Sequence, residues 1–288
     1  MFRCLQRLHS LRFKASPRQT PHLLKVLAAS CVFTLLAACQ SPLKLDTYPT
    51  GRLRPATLPA APFALQALVL PEGAYPRLRV YIEGDGHAWA TAFQPSTDPT
   101  PYTSLMVELA AQDPTPAVYL ARPCQFIQGP ACTVDVWTRS RFDSPQIQAM
   151  DAALSLLKRR YGVEHFELVG HSGGGAVALV LAGKREDVGQ VQTLAGNLDP
   201  ALWVQLHHLT PLAQPMLPLD YKGRLSSLPQ RHFVGLNDPV MPAAIAQAYG
   251  AALKGTCVEV VTVPADHTQG YQAQWERLAN QPIGCHTP

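Results

Sequence analysis

Acidic residues are missing from the start of this chain. None occurs before Asp46, while Arg3, Arg7, Arg12, Lys14, Arg18 and Lys25 all precede the apolar stretch Val26 to Ala38. This imbalance produces the formal net charge of +4: of 24 Lys and Arg, six lie in the lead, and the remaining 18 meet 20 Asp and Glu. A near-neutral remainder carries no electrostatic footprint for nucleic acid, so no such partner is expected. The 13 residues of the apolar stretch also fall short of the ~20 that cross a bilayer as a helix. Two phosphate-binding loops are absent as well. No G-x-G-x-x-G occurs, and Gly175 is followed by Ala176 and Val177 where a P-loop needs Lys and then Ser or Thr. No C-x-x-C occurs among the 7 cysteines, which removes the common zinc spacing.

What the sequence does have is 288 residues with 47% hydrophobic content, enough to bury a full core in one or two domains. Its organising stretch is Phe166 to Ala182, FELVGHSGGGAVALVLA. Strand formers stop at Gly170, three glycines follow Ser172, and small or aliphatic residues continue at helical spacing. A strand therefore turns abruptly into a helix at Gly170-His171-Ser172-Gly173-Gly174, the G-x-S-x-G pattern of a nucleophile elbow. Glycines flank the serine because side chains there would collide with the neighbouring strand or helix, and the helix start favours an oxyanion. The plainer alternative is a glycine-rich strand-to-helix turn in any α/β domain.

The basic lead, the short apolar core and the small residues Leu36-Ala37-Ala38 before Cys39 read as a secretory signal over residues 1–38. The four letters ending in Cys39 resemble a bacterial lipobox. By that resemblance Cys39 is diacylated and becomes the N-terminus, and Gln40 after it favours the outer membrane. Residues 39–62 carry Pro42, Pro49, Pro55, Pro59 and Pro62 with little periodicity and read as an extended tether, leaving 63–288 as the folded domain. The alternative for this stretch is an arm packed on the domain surface. Cys124, Cys132, Cys257 and Cys285 then remain, an even number in an exported protein, with three possible connectivities. The pairing expected is Cys124 with Cys132, closing a small loop, and Cys257 with Cys285, fastening the C-terminus. No metal is expected.

Further strands are predicted at Phe63–Leu70, Leu78–Glu83, Ala117–Leu120, Val188–Ala195, Arg231–Leu236 and Cys257–Val263. Helices are predicted at Leu105–Ala111, Gln146–Tyr161, Pro242–Leu253 and Tyr271–Leu278. The alternation predicts an α/β fold in one domain: a doubly wound, mainly parallel sheet with helices on both faces. In such sheets working residues collect at the carboxyl ends of strands. Asp238 follows one late strand and His267 the next, so both are expected at the edge that carries Ser172. Asp199, after the strand Val188–Ala195, is the competing acid.

These residues together resemble the α/β-hydrolase superfamily, whose sequence order is likewise nucleophile, acid, histidine. More narrowly, Arg122-Pro123-Cys124-Gln125, Trp137-Thr138, Gly170 to Gly175 and Ala195 to Asp199 are similar to a group of exported bacterial α/β-hydrolases of undefined substrate. The resemblance implies Ser172 as nucleophile, His267 as base, Asp238 as its acid, and a periplasm-facing location. It also implies an oxyanion hole from the N–H groups of Gly173 and of Asp85, with Gly86 as the second choice. The sequence departs from lipase-type patterns in having Glu83-Gly84-Asp85-Gly86 where HGGG-like loops are frequent. Leu198 to Lys222 is an apolar excursion that reads either as a cap lining an acyl pocket or as a loop packed on the sheet. Trp137 to Phe142 reads as a solvated charged loop, with an anion-facing role for its arginines as the alternative. The expected activity is hydrolysis of an ester, thioester or amide of a small or acylated substrate through an acyl-enzyme, without cofactor. A lipid-anchored binding protein that keeps the fold is the other class.

Overall fold

The computed structural model describes residues 41–254 and 257–285. Cys39 and the stretch 1–38 expected to be a signal lie outside the described residues. Eight strands form one sheet: β1 Arg54–Ala60, β2 Phe63–Val69, β3 Arg77–Ile82, β4 Ala117–Leu120, β5 His165–His171, β6 Val188–Leu194, β7 Gln230–Gly235 and β8 Val258–Val263. Their spatial order is β1-β2-β4-β3-β5-β6-β7-β8. The pairs β1–β2 and β2–β4 are antiparallel, and all others are parallel. The helices are α1 Leu105–Gln112, α2 Val134–Trp137, α3 Ser144–Tyr161, α4 Gly173–Lys184, α5 Pro200–Leu206, α6 Lys222–Leu225, α7 Ala243–Leu253 and α8 Gln272–Leu278. Among the described residues none of them is long and apolar enough to cross a membrane.

The central position belongs to β5 and α4. Every residue of α4 from Gly173 to Ala182 is buried, which suits a helix that is apolar all round. Its glycines bring backbones together: a Cβ on Gly175 would lie 2.9 Å from Gly196 Cα. The helix α3 ends where Gly162 takes φ +64°, its N–H donating to Lys158 C=O, with Lys158, Arg159 and Arg160 in the last turn. Those cations complement the carbonyl end of the helix dipole.

The tether expected to run through Pro62 is corrected. Arg54–Ala60 is the edge strand β1, paired with β2 along its whole length. Proline obscured the pattern but does not prevent the strand, because an edge strand has an outer N–H row with no partner to lose. The residues before β1 are packed as well. Leu45 and Leu53 are buried. The Leu43 N–H donates to Pro101 C=O at 2.9 Å, the Tyr48 hydroxyl to Glu108 at 2.9 Å, and Arg52 to Asp113 C=O at 3.2 Å. These partners progress along α1 from the residues before its first turn to its C-cap, so the arm follows that helix and carries on into β1.

Candidate active site

At the carboxyl end of β5 the backbone of Ser172 takes φ +51° and ψ −124°, a region that ordinary residues avoid at a cost of about 1–3 kcal/mol. Neighbouring glycines make the turn possible. A Cβ on Gly170 would sit 2.4 Å from Gly174 C=O, and one on Gly174 would sit 2.5 Å from Glu83 C=O. Both contacts are with backbone, so neither position has room for a side chain. The turn projects the Ser172 hydroxyl off the end of the strand and leaves its N–H free to donate to Leu194 C=O at 3.2 Å.

The loops after β7 and β8 bring two further side chains to it. His267 Nδ1 lies 2.9 Å from Asp238 Oδ2, and its Nε2 lies 3.1 Å from Ser172 Oγ. An ionised carboxylate only accepts, so Nδ1 carries the proton and Nε2 is left with a lone pair toward the serine hydroxyl. The other oxygen of Asp238 accepts the N–H groups of Val240 at 2.8 Å and Met241 at 2.9 Å. Burial alone would raise this carboxyl. The His267 partner and the two backbone N–H groups outweigh burial and hold it below the usual carboxylate range. Asp199 is elsewhere employed: its Oδ1 accepts Leu202 N–H at 3.0 Å and caps α5.

A second histidine ties these loops together. His171 Nε2 donates to the backbone carbonyl oxygen of His267 at 2.8 Å, so the residue before the nucleophile holds the backbone of the residue facing it. Burial, with the nearby charge of His267 adding to it, lowers His171 to about 4. It is therefore neutral at pH 7.

The loop after β3 supplies the other wall. Asp85 lies against Gly173: a Cβ on that glycine would fall 2.1 Å from Asp85 Oδ1 and 2.8 Å from Arg122 Nη1. The structure thus makes neighbours of the two residues expected to supply oxyanion N–H groups, and neither N–H has an intramolecular acceptor among the described residues. The Asp85 carboxylate is held by Arg122 at 2.6 Å and by Arg141 at 3.2 Å. Burial would raise it, and the two guanidinium charges prevail and lower it. Gly86 is directed elsewhere, at φ +61°, where a Cβ would lie 2.2 Å from Pro99 C=O. Beneath the loop, buried Glu83 accepts from Gly84 N–H and from the Tyr119 hydroxyl, both at 2.9 Å, and from Ser104.

The solvated-loop reading of Trp137 to Phe142 is corrected at one of its arginines. Arg139 is exposed, but Arg141 is 93% buried and its anion is Asp85 itself. Sequence reasoning missed this pair and missed Glu83. An acid in the loop where small neutral residues are frequent was the available signal, since a carboxylate there requires cationic neighbours. The excursion from Leu198 folds as α5, and both Trp203 Nε1 and His207 Nε2 donate to Val240 C=O beside Asp238. Arg141 also lies 5.0 Å over the Trp203 ring. The disulfides are Cys124–Cys132 and Cys257–Cys285. The first closes the loop that carries Gln125, whose side chain accepts Arg122 N–H and donates to Gly84 C=O. No cluster of metal-ligating side chains occurs among the described residues.

No family model matches the chain, and no curated protein matches it in sequence. Solved structures do match. The Pyrococcus furiosus esterase Pf2001 superposes with a TM-score of 0.60 at 12% identity, covering 84% of this chain and 92% of its own. A Mycobacterium tuberculosis puromycin-hydrolyzing peptidase gives 0.54 at 18%, covering 82% and 39%. The Pyrococcus horikoshii acylaminoacyl peptidase gives 0.52 at 14%, covering 77% and 38%. This chain therefore spans under two-fifths of either peptidase and nearly all of the esterase. At such identities the likeness is one of fold, and the fold of this chain is that of the α/β-hydrolases.

Proposed function

We propose that the protein is a serine hydrolase that opens an ester, thioester or amide bond through an acyl-enzyme. The observation that carries this reading is the continuous relay Ser172–His267–Asp238, at 3.1 and 2.9 Å, with the serine held in a strained turn. Ser172 Oγ attacks the carbonyl carbon while its proton passes to His267 Nε2, and Asp238 stabilises the imidazolium that forms. The N–H groups of Gly173 and Asp85 receive the oxyanion. Paired with two arginines, the Asp85 carboxylate belongs to a cluster of net charge +1, so it does not repel that oxyanion. Collapse returns the proton from His267 to the leaving group, and water repeats the sequence to release the acyl group. A fluorophosphonate should label the wild-type protein at Ser172 and fail to label Ser172→Ala. Folded wild-type protein that takes up no label would put the non-catalytic binding role ahead.

The proposal extends to location. Cys39 is the lipid-bearing residue of a periplasm-facing protein, by its lipobox-like setting, and the lipid fixes the domain to the outer membrane. Mass spectrometry of the mature N-terminal peptide should show a diacylglyceryl group on Cys39. A peptide that begins elsewhere, or an unmodified thiol, would end that reading.

A further inference from the structure

The arm before β1 determines where the chain leading to Cys39 leaves the folded domain. Its first packed contact, Leu43 N–H to Pro101 C=O, lies in the connection between β3 and α1, the connection that also carries Asp85. From there the arm runs down α1 toward the opposite edge of the sheet. Cys39 precedes Leu43 by four residues, and four residues of backbone reach at most about 14 Å. A lipid on Cys39 is thus tethered within that reach of Leu43.

The edge that bears Ser172 carries exposed apolar side chains. Of the eight large apolar side chains exposed among the described residues, four, Trp89, Phe93, Leu236 and Val240, lie in loops between the carboxyl end of a parallel strand and the helix that follows it. Most exposed is Phe93, at 95%. It occupies the tip of an excursion from the Asp85 loop, closed by a bridge between Trp89 and Pro95 and by Ala90 N–H donating to Gln94 C=O at 2.9 Å. Trp89 is itself 43% exposed, and the exposed Leu236 and Val240 flank Asp238 in sequence. A single exposed apolar residue needs no explanation, but several in the loops of one edge call for a partner.

We propose that this edge docks on the membrane that holds the Cys39 lipid, with Trp89 and Phe93 entering the headgroup boundary. Ser172 then meets acyl esters of amphiphiles at the bilayer interface rather than solutes from bulk water. The inference rests on the lipid-anchor and hydrolase readings above, and goes beyond them in naming the face presented and the substrate class. Trp89 suits that boundary because its ring is apolar while its N–H tolerates water, and Phe93 adds apolar area to bury.

The test uses the full lipidated protein in phospholipid vesicles, with a thiol-reactive environment-sensitive dye at Phe93→Cys or, as the far-edge control, at Arg77→Cys. Arg77 opens β3 and its side chain is 75% exposed. Expected is a blue-shifted Phe93→Cys dye quenched by lipid-borne quenchers at least threefold more than the Arg77→Cys dye. Equal quenching, or stronger quenching at residue 77, overturns the orientation while leaving the anchor intact. Protein that does not co-float with vesicles overturns the anchor and the orientation together. As a second arm, Phe93→Ser should lower hydrolysis of a vesicle-borne ester about tenfold and leave a soluble short-chain ester unchanged; equal loss on both, or none, counts against docking. Wild-type protein that hydrolyses neither ester, with the dye result intact, would instead count against the hydrolase reading.

Discussion

Ser172→Ala and His267→Ala should each lower kcat/KM on a responsive ester by roughly 10⁵- to 10⁶-fold, and the double substitution by no more than either alone. Groups that act as one unit are not additive, because removing one already disables the other. Asp238→Asn should cost less, about 10⁴-fold. The amide can donate to Nδ1, which favours the tautomer with the proton on Nε2 and leaves no lone pair for the serine proton. Asp199→Ala is the internal control. Asp199 caps α5 and lies outside the relay, so its loss should cost about 1 kcal/mol of stability and little activity. Steady-state kinetics on an ester panel decides the matter. A collapse with Asp199→Ala and near-normal rates with Asp238→Asn would reverse the roles given to the two acids.

The second large effect concerns folding. Asp85→Ala leaves Arg122 and Arg141 buried without their shared anion, and breaking a buried pair costs about 3–5 kcal/mol. Asp85 keeps 24% of its side chain exposed, which places the expected loss near the lower end of that range, about 3 kcal/mol. For a domain of this size that corresponds to a fall in Tm of roughly 10 °C. Asp85→Asn should lose less, since it retains an acceptor. The pH dependence has a definite sign. The folded Asp85 carboxyl is lowered, so its contribution is complete above the unfolded value of about 3.9 and disappears as pH falls through the folded value. The gap between wild type and Asp85→Asn should therefore be constant near pH 7 and shrink below about pH 4. Urea denaturation at both pH values measures it. A variant as stable as wild type at pH 7 would show that the guanidinium groups find other partners.

Much of the site was legible because its parts are local. Ser172 lies between glycines that only a tight strand-to-helix turn requires, and Asp238 and His267 each follow an apolar run of strand formers. Their meeting was the inference, and sequence order supplied it. The arginines were not legible, since Arg122 and Arg141 are separated from Asp85 by 37 and 56 positions and nothing local marks either as buried. The strand β1 was hidden for another reason: Pro55 and Pro59 interrupt the pattern from which a strand is recognised, while an edge position makes both harmless. The arm along α1 has no periodicity, and only its partners on α1 reveal that it is packed.

Those two prolines have a consequence for how molecules of this protein meet. A strand edge that offers a full row of N–H and C=O groups invites another polypeptide to join it, and proline withdraws donors from that row. The β1 rim is thereby closed to a newcomer strand. The rim at β8 has no such residue, for Val258–Val263 contains no proline and leaves Val260 exposed. Any growth of the sheet by addition of a foreign strand has one side of the molecule on which to begin.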